Sequence, residues 1–315
     1  MTERHDRRGA RARRSVVGLL GAIVIGGLVG GPAGAATPPH VHAVEKTLTL
    51  PTSNTEAAAL ALDLDHDAGR NPDNQLGKVL AAFAAQGVDL VGLQASAITS
   101  GTMVSLHAIA ADSLVNDRTA AWRVFVGKPK ASPHLDGTDR LAVSPTGLRG
   151  TWLPGRIKNR RFTGGPGTIP LQIAIGTNGA PITLRLTMAR IRARCTASGC
   201  TDGIVAGVLS KAQVDAVLVP GFADRFNAIV QASCPDPGDP CDATAQSLLS
   251  LFDNAPQDHT ISVTEIAESP LVSSILKPDL DLFLANGKRG KDGVKESLSV
   301  GAGFTTVKAT FKEPA

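Results

Sequence analysis

The chain has 315 residues, of which 43% are hydrophobic, and this is enough apolar material for a substantial core. Aromatic residues make up only 3% and tyrosine is absent, which argues against a surface that stacks carbohydrate rings or nucleobases. The first 35 residues hold six arginines against Glu3 and Asp6, so that without them 32 basic and 28 acidic residues become 26 of each. A neutral remainder does not predict nucleic-acid binding.

The N-terminal segment has the order of an export signal. An arginine-rich start precedes the apolar run from Val16 to Val29, and Ala33-Gly34-Ala35 follows it. The run has 14 residues, fewer than the roughly 20 that span a bilayer, so we predict cleavage and no integral membrane segment afterwards. Arg13-Arg14 resembles the twin-arginine export motif, which leaves that route and the general secretory route both open.

We therefore expect residues 1–35 to be a signal peptide and residues 36–315 to form a single mixed domain. The expected destination is the periplasm, the cell envelope or the medium. Because these compartments are oxidising, paired cysteines are expected to form disulfides there.

Strand and helix signals alternate from residue 44 onward. Val44 to Leu50 has the period of a strand, and Gln75 to Ala85 carries one apolar stripe of helical spacing that ends at Gly87. From Val88 to Gly179, short apolar runs separated by glycine, proline and aspartate indicate a series of strands.

The clearest strand begins at Ile182, where apolar side chains alternate with polar ones up to Met188. Beyond Ala189 the alternation reverses its phase, which predicts a β-bulge. Three helical segments follow, and the last strand-like segments are Asp279–Leu284 and Ser297–Phe311. The predicted fold class is α+β, with a strand-rich, sandwich-like body and a helical segment near residues 210–276.

The four cysteines form two close pairs, Cys195 with Cys200 and Cys234 with Cys241. Two local disulfides are the simplest of the three possible connectivities. A zinc site is the competing interpretation, but spacings of four and six residues differ from the two-residue knuckles that zinc sites favour.

An acidic ladder is the main chemical signal of the sequence. Oxygen-bearing side chains recur at nearly every second position around a glycine, and a hard cation such as Ca²⁺ would offset their repulsion. The predicted metal ligands are Asp63, Asp65, Asp67, Asn71, Asp73 and Asn74. The alternative is a solvated turn in which Asp73 or Asn74 caps the helix at Gln75.

The ladder resembles EF-hand loops and, more closely, the Asp-rich calcium loops of thrombospondin type 3 repeats and dockerin-like modules. Its glycine stands at loop position 7 instead of 6, and the glutamate of position 12 is missing. A second, weaker EF-hand-like loop has Asn254, Asp258 and Glu265 as its side-chain ligands, with Pro256 in a ligand position.

An enzymatic interpretation of the same residues stays open. Leu60 to Asp65 resembles the nucleophile motif of haloacid-dehalogenase-type phosphatases, in which Asp63 would attack phosphorus and Asp65 would act as acid and base beside Mg²⁺. Asp67 stands where that family has threonine or valine, and the chain lacks clear βαβ alternation.

Several short motifs are similar to a group of uncharacterised exported bacterial proteins. They lie in Asp73–Gly77, Pro278–Phe283 and Asp292–Phe304. This resemblance implies no activity. The sequence thus predicts an exported, non-enzymatic protein with a structural Ca²⁺, such as a cell-envelope binding module, with the metal-dependent phosphatase as its alternative. Basic clusters at residues 156–161 and 288–291 are surrounded by glycines, which favours solvated hairpin tips; contact with an anionic envelope component is the alternative.

Overall fold

Eight antiparallel strands form a closed ring in the computed structural model, which describes residues 40–66, 73–175, 180–254 and 256–314. Each strand pairs with the next along the chain, and the last strand pairs with the first. The mixed α+β class is confirmed, and its strand-rich body is one sheet closed on itself. The strands are β1 His40–Thr49, β2 Ser105–Ala110, β3 Ala121–Val126, β4 Leu153–Lys158, β5 Arg161–Ala174, β6 Pro181–Thr196, β7 Gly199–Ser210 and β8 Ser297–Lys308.

The helices occupy two connections of the ring, between β1 and β2 and between β7 and β8. Because neighbouring strands are antiparallel, both connections leave the ring at the same end. The first contains α1 Asn54–Ala59, α2 Gln75–Ala85 and α3 Leu90–Ser100. The second contains α4 Lys211–Gln213, a π-helical turn Val214–Leu218, α5 Val219–Ser233, α6 Ala243–Phe252, α7 Val263–Glu268 and α8 Pro270–Ile275.

The second connection matches the helical segment predicted near residues 210–276, and α2 has the predicted bounds. Helix α3 lies in the stretch that the sequence pattern assigned to strands. Its boundaries are set by Asp89, which accepts a hydrogen bond from the N–H of Gly92, and by Gly101, which is left-handed with a φ of 75°. The end signals of this helix are thus clearer than its apolar periodicity.

Aromatic side chains fill two parts of one core. Inside the closed sheet, the centroid of the Trp122 indole lies 5.1 Å from that of the Phe162 side chain and 6.0 Å from that of the Phe304 side chain. In the helical layer, Phe83 of α2 contacts three phenylalanines of α5 and α6 edge-on, namely Phe222, Phe226 and Phe252. The scarce aromatic residues are therefore concentrated where helices meet and where the ring is filled.

The predicted bulge is present in β6. Leu184 and Leu186 are buried before it and Ala189 and Ile191 after it, so the buried positions change from even to odd numbers. The register against β7 shifts between Thr187 and Arg190, and Met188 has a φ of 50°. One extra residue therefore turns the side chains of the second half of β6 over. The segment Asp279–Leu284, in contrast, forms isolated bridges instead of a strand.

Both predicted disulfides are present. Cys195 and Cys200 face each other across the β6–β7 hairpin with Cα atoms 4.1 Å apart, and Cys234 and Cys241 close a loop with Cα atoms 4.9 Å apart. They are consistent with an oxidising compartment. Over the described ranges, no single helix is long and apolar enough to cross a membrane, although α2 and α3 together pass that test with a 103° bend between them.

A carboxylate group beside a basic cleft

Three of the predicted ligands come together in the structure. Asp63, Asp65 and Asp73 each offer a carboxylate oxygen, and these oxygens all lie within 4.8 Å of one another. Ca²⁺ binds oxygens at 2.3–2.6 Å, so two of its ligands on opposite sides are about 5 Å apart. The spacing of the three carboxylates therefore fits a single cation between them.

The chain between Asp63 and His66 forms a tight turn. Asp63 Oδ1 accepts a hydrogen bond of 2.7 Å from the His66 N–H, and His66 is left-handed with a φ of 63°. Leu64 is buried in a small apolar cluster with Ala206 and Val208 of β7. A buried leucine between the two acids thus anchors the turn to the sheet.

Asp73 connects this turn to the start of α2. Its side chain is buried, and its carboxylate accepts a hydrogen bond from the Leu64 N–H. Asn74 is also buried and caps α2, because its Oδ1 accepts a hydrogen bond of 3.0 Å from the Gly77 N–H. The predicted ligands Asp67 and Asn71 lie outside the described residues.

Lys291 contributes a positive charge to the carboxylate group. Its Nζ donates a hydrogen bond of 3.1 Å to the Asp65 carbonyl oxygen and lies 3.5 Å from Asp65 Oδ2. The loop that carries one of the two predicted basic clusters is thereby tied to the acidic turn. The ammonium group offsets part of the carboxylate charge and would compete with a bound cation.

A cleft of about 420 Å³ adjoins the carboxylate group, and Asp63 is one of its lining residues. We call it the arginine cleft, because four arginines line it: Arg118, Arg156, Arg190 and Arg192. Arg156 belongs to a predicted basic cluster, whereas the other three were not singled out from the sequence. Arg190 and Arg192 alternate after the bulge in β6, but only strand pairing shows that they lie near Arg156.

The strand register explains this concentration of charge. Thr163 pairs with Arg156 on one side and with Arg192 on the other. Two residues along on the same face, Arg161 pairs with both Lys158 and Arg194. Like charges directly opposite each other destabilise a sheet. This face of the ring therefore carries its basic residues at a cost in stability.

Among the residues that the structure describes, the arginines of the cleft have few partners. Among the described residues, no carboxylate forms an ion pair with any of the four. Arg190 Nη2 donates to His66 Nε2 at 2.9 Å, while its buried Nε has no hydrogen-bond partner within the described part of the chain. An arginine can only donate hydrogen bonds, so the cleft offers positive charge and hydrogen-bond donors.

The weaker predicted loop is closed by hydrogen bonds to main-chain groups. Glu265 accepts from the N–H of Asn254 at 2.9 Å and from the N–H of Ser262 at 2.8 Å, and with Ser262 it forms the capping box of α7. Asp258 accepts from the N–H of Thr260. These contacts give Glu265 a structural role, and metal binding by this loop stays a prediction.

Comparisons of the chain with protein-family models, curated proteins and solved structures found no match. The resemblance to exported bacterial proteins therefore remains a prediction.

Proposed function

We propose that this chain is an exported, non-enzymatic binding protein in which a structural Ca²⁺ at Asp63, Asp65 and Asp73 stabilises one wall of the arginine cleft. The cleft would bind an anionic component of the cell envelope. One observation carries this proposal: Asp63 belongs both to the carboxylate group and to the lining of the cleft.

The chemistry of the ligands supports Ca²⁺. Carboxylate oxygens are hard ligands, and the role proposed for the ion is to offset the repulsion of three acids that lie within 4.8 Å of one another. Since Asp73 precedes the cap of α2 and Leu64 is buried against β7, the ion would fix the path of the chain between the sheet and this helix.

Thermal unfolding with Ca²⁺ and with a chelator tests the proposed ion. At a free Ca²⁺ concentration of about 100 times Kd the ion adds about 2.7 kcal/mol, which is roughly 5–10 °C in Tm for a domain of this size. We expect Asp65→Asn to lose most of this shift. Asp224→Asn, an exposed substitution on α5 with the same change of charge, serves as the matched control and should retain the shift. An equal Tm in calcium and in chelator would contradict a structural Ca²⁺.

Binding of anionic probes tests the cleft. We expect vesicles that contain phosphatidylglycerol to bind, phosphatidylcholine vesicles not to bind, and inorganic phosphate to compete if the phosphate group alone is recognised. A charge-assisted hydrogen bond is worth about 1.5–3 kcal/mol, so Arg192→Gln should weaken binding roughly tenfold or more. Arg185→Gln, on the same strand but outside the cleft, should have little effect. Equal losses in both variants would indicate attraction by general charge and would contradict a site in the cleft.

A metal-dependent phosphatase is the second candidate, and the position of Asp63 in an open cleft with four arginines favours it. A phosphatase of the haloacid-dehalogenase type requires parallel strands, whereas every strand pair in the described ring is antiparallel. Hydrolysis of p-nitrophenyl phosphate with Mg²⁺ distinguishes the candidates. Turnover that Asp63→Asn abolishes and Asp224→Asn preserves would establish the hydrolase and contradict the non-enzymatic proposal.

A further inference from the structure

Two histidines and a glutamate meet at the end of the ring opposite the helical connections. His40 and His42 are two residues apart on β1, so their side chains point to the same face of the sheet. Glu313 lies beyond the end of β8, and a hydrogen bond of 3.0 Å from the Ala309 N–H to the His42 carbonyl oxygen aligns its segment with β1. The cluster thus joins the first strand to the C-terminal segment.

The ligand atoms of the three side chains are already close. Glu313 Oε1 lies 2.5 Å from His40 Nδ1 and 2.9 Å from His42 Nε2, and the three atoms are mutually within 4.8 Å. Around a tetrahedral ion with bonds of 2.0–2.1 Å, neighbouring ligand atoms are about 3.3 Å apart. Opening the cluster by less than about 1 Å would therefore make room for such an ion.

Aromatic rings hold the histidines in place. The His42 ring stacks on Phe311 with centroids 4.2 Å apart, and the His40 ring lies 5.2 Å from Trp152. The side chains of His40, His42 and Glu313 keep exposures of 28%, 23% and 17%, so an ion can still reach them from solvent. Packing thus fixes the histidine rings on one side, while the ligand atoms stay accessible to solvent on the other.

We propose that His40, His42 and Glu313 bind a transition-metal dication of the Zn²⁺ type. Two imidazoles and one carboxylate suit borderline ions and not Ca²⁺, which takes oxygen ligands only. Without metal, both rings direct a nitrogen at the carboxylate. With metal, each ring carries its proton on its other nitrogen and presents a lone pair to the ion. Three protein ligands leave a fourth position for water or another small ligand.

Calorimetric titration of Zn²⁺ into protein purified without a polyhistidine tag tests this site. We expect one equivalent to bind, and we expect His42→Gln and Glu313→Gln to lose that binding. His134→Gln is the matched control, because the His134 side chain is 72% exposed and lies outside the cluster. Excess Ca²⁺ should not displace the Zn²⁺. Glu313→Gln keeps the size of its side chain, so it remains informative if His42→Gln disturbs the packing on Phe311.

Titration with Co²⁺ gives an independent readout, because intense visible absorption bands indicate that the bound Co²⁺ has a low coordination number. Failure of the unmodified protein to take up one equivalent of Zn²⁺ would overturn the proposal. So would a loss in His134→Gln as large as that in Glu313→Gln. This site shares no residue with the carboxylate group or the arginine cleft, so either proposal can fail while the other stands.

Discussion

Glu45 is a carboxyl group buried inside the ring. Its Oε2 lies 3.8 Å from His107 Nε2, beyond hydrogen-bond distance, and the Trp122 indole N–H donates to the other ring nitrogen at 3.1 Å. His107 Nε2 is buried and has no hydrogen-bond partner among the described residues. Burial raises the pKa of Glu45 above its ordinary value of 4.5, and the opposing attraction to His107 is smaller.

This shift makes stability depend on pH in a definite direction. A carboxyl group whose folded pKa is raised stabilises the fold as the neutral acid, fully below the unfolded value of 4.5, and this contribution is lost as pH rises through the folded pKa. We expect Glu45→Gln to be more stable than the unmodified protein at pH 7 and about equally stable at pH 4. Urea unfolding across this range measures the difference.

Glu268→Gln, at an exposed position, is the control and should change the free energy of unfolding neither at pH 7 nor at pH 4. Asp279 also has a raised pKa because of burial, so Glu45→Gln should flatten the pH profile without removing its slope completely. A loss of stability in Glu45→Gln at pH 7 would contradict this account, because it would mean that the charged carboxylate is paired favourably with His107.

Among the secondary-structure elements, α1, α2 and β8 are joined by one side chain. Asn74 Oδ1 accepts from the N–H groups of Gly77 and Gly301, and its Nδ2 donates to the carbonyl oxygens of Ala57 and Gly301. Both glycines are needed for this close approach. A Cβ atom on Gly77 would lie 2.5 Å from Asn74 Nδ2, and one on Gly301 would lie 2.3 Å from the Leu60 carbonyl oxygen.

Asn74→Ala should therefore lower the stability of the protein by more than the loss of an ordinary helix cap does. Losing a cap costs about 1 kcal/mol, and leaving buried main-chain groups unpaired adds about 1–3 kcal/mol for each group. We expect a total loss of about 3 kcal/mol or more in urea unfolding. Asp89→Ala removes the exposed cap of α3 and should cost only about 1 kcal/mol. Equal costs for the two substitutions would show that the bonds to β8 and α1 contribute nothing.

The motifs that resemble exported bacterial proteins meet around this same junction. The Gln75 N–H donates to Ser299 Oγ at 2.8 Å, and Asp279 Oδ1 accepts from the Ser299 N–H at 2.7 Å. Asp281 accepts from the N–H groups of Asp292 and Gly293. Three segments that are distant in sequence thus form one hydrogen-bonded network, in which their asparagine, serine and aspartate residues have a structural role.

For the molecule as a whole, the sequence predicted what local periodicity determines. The stripe of α2, the bulge in β6 and the two disulfides follow from residues close together in the chain, and so does the proximity of Asp63, Asp65 and Asp73. Closure of the ring did not follow, because β1 and β8 lie about 250 residues apart and no local pattern records their pairing. The arginine cleft was missed for the same reason, since Arg118 and Arg192 meet only through the pairing of strands.

The closure between β1 and β8 also has a consequence for how the chain folds. A chain in which β8 has not yet joined the sheet has two unpaired sheet edges, and such edges pair readily with other chains. Contacts between segments so far apart in sequence form slowly, because a long loop must close first. Until β8 pairs with both of its neighbours, the chain is therefore exposed to edge-to-edge aggregation, and a chaperone that covers the edges of β1 and β7 would protect it during that interval.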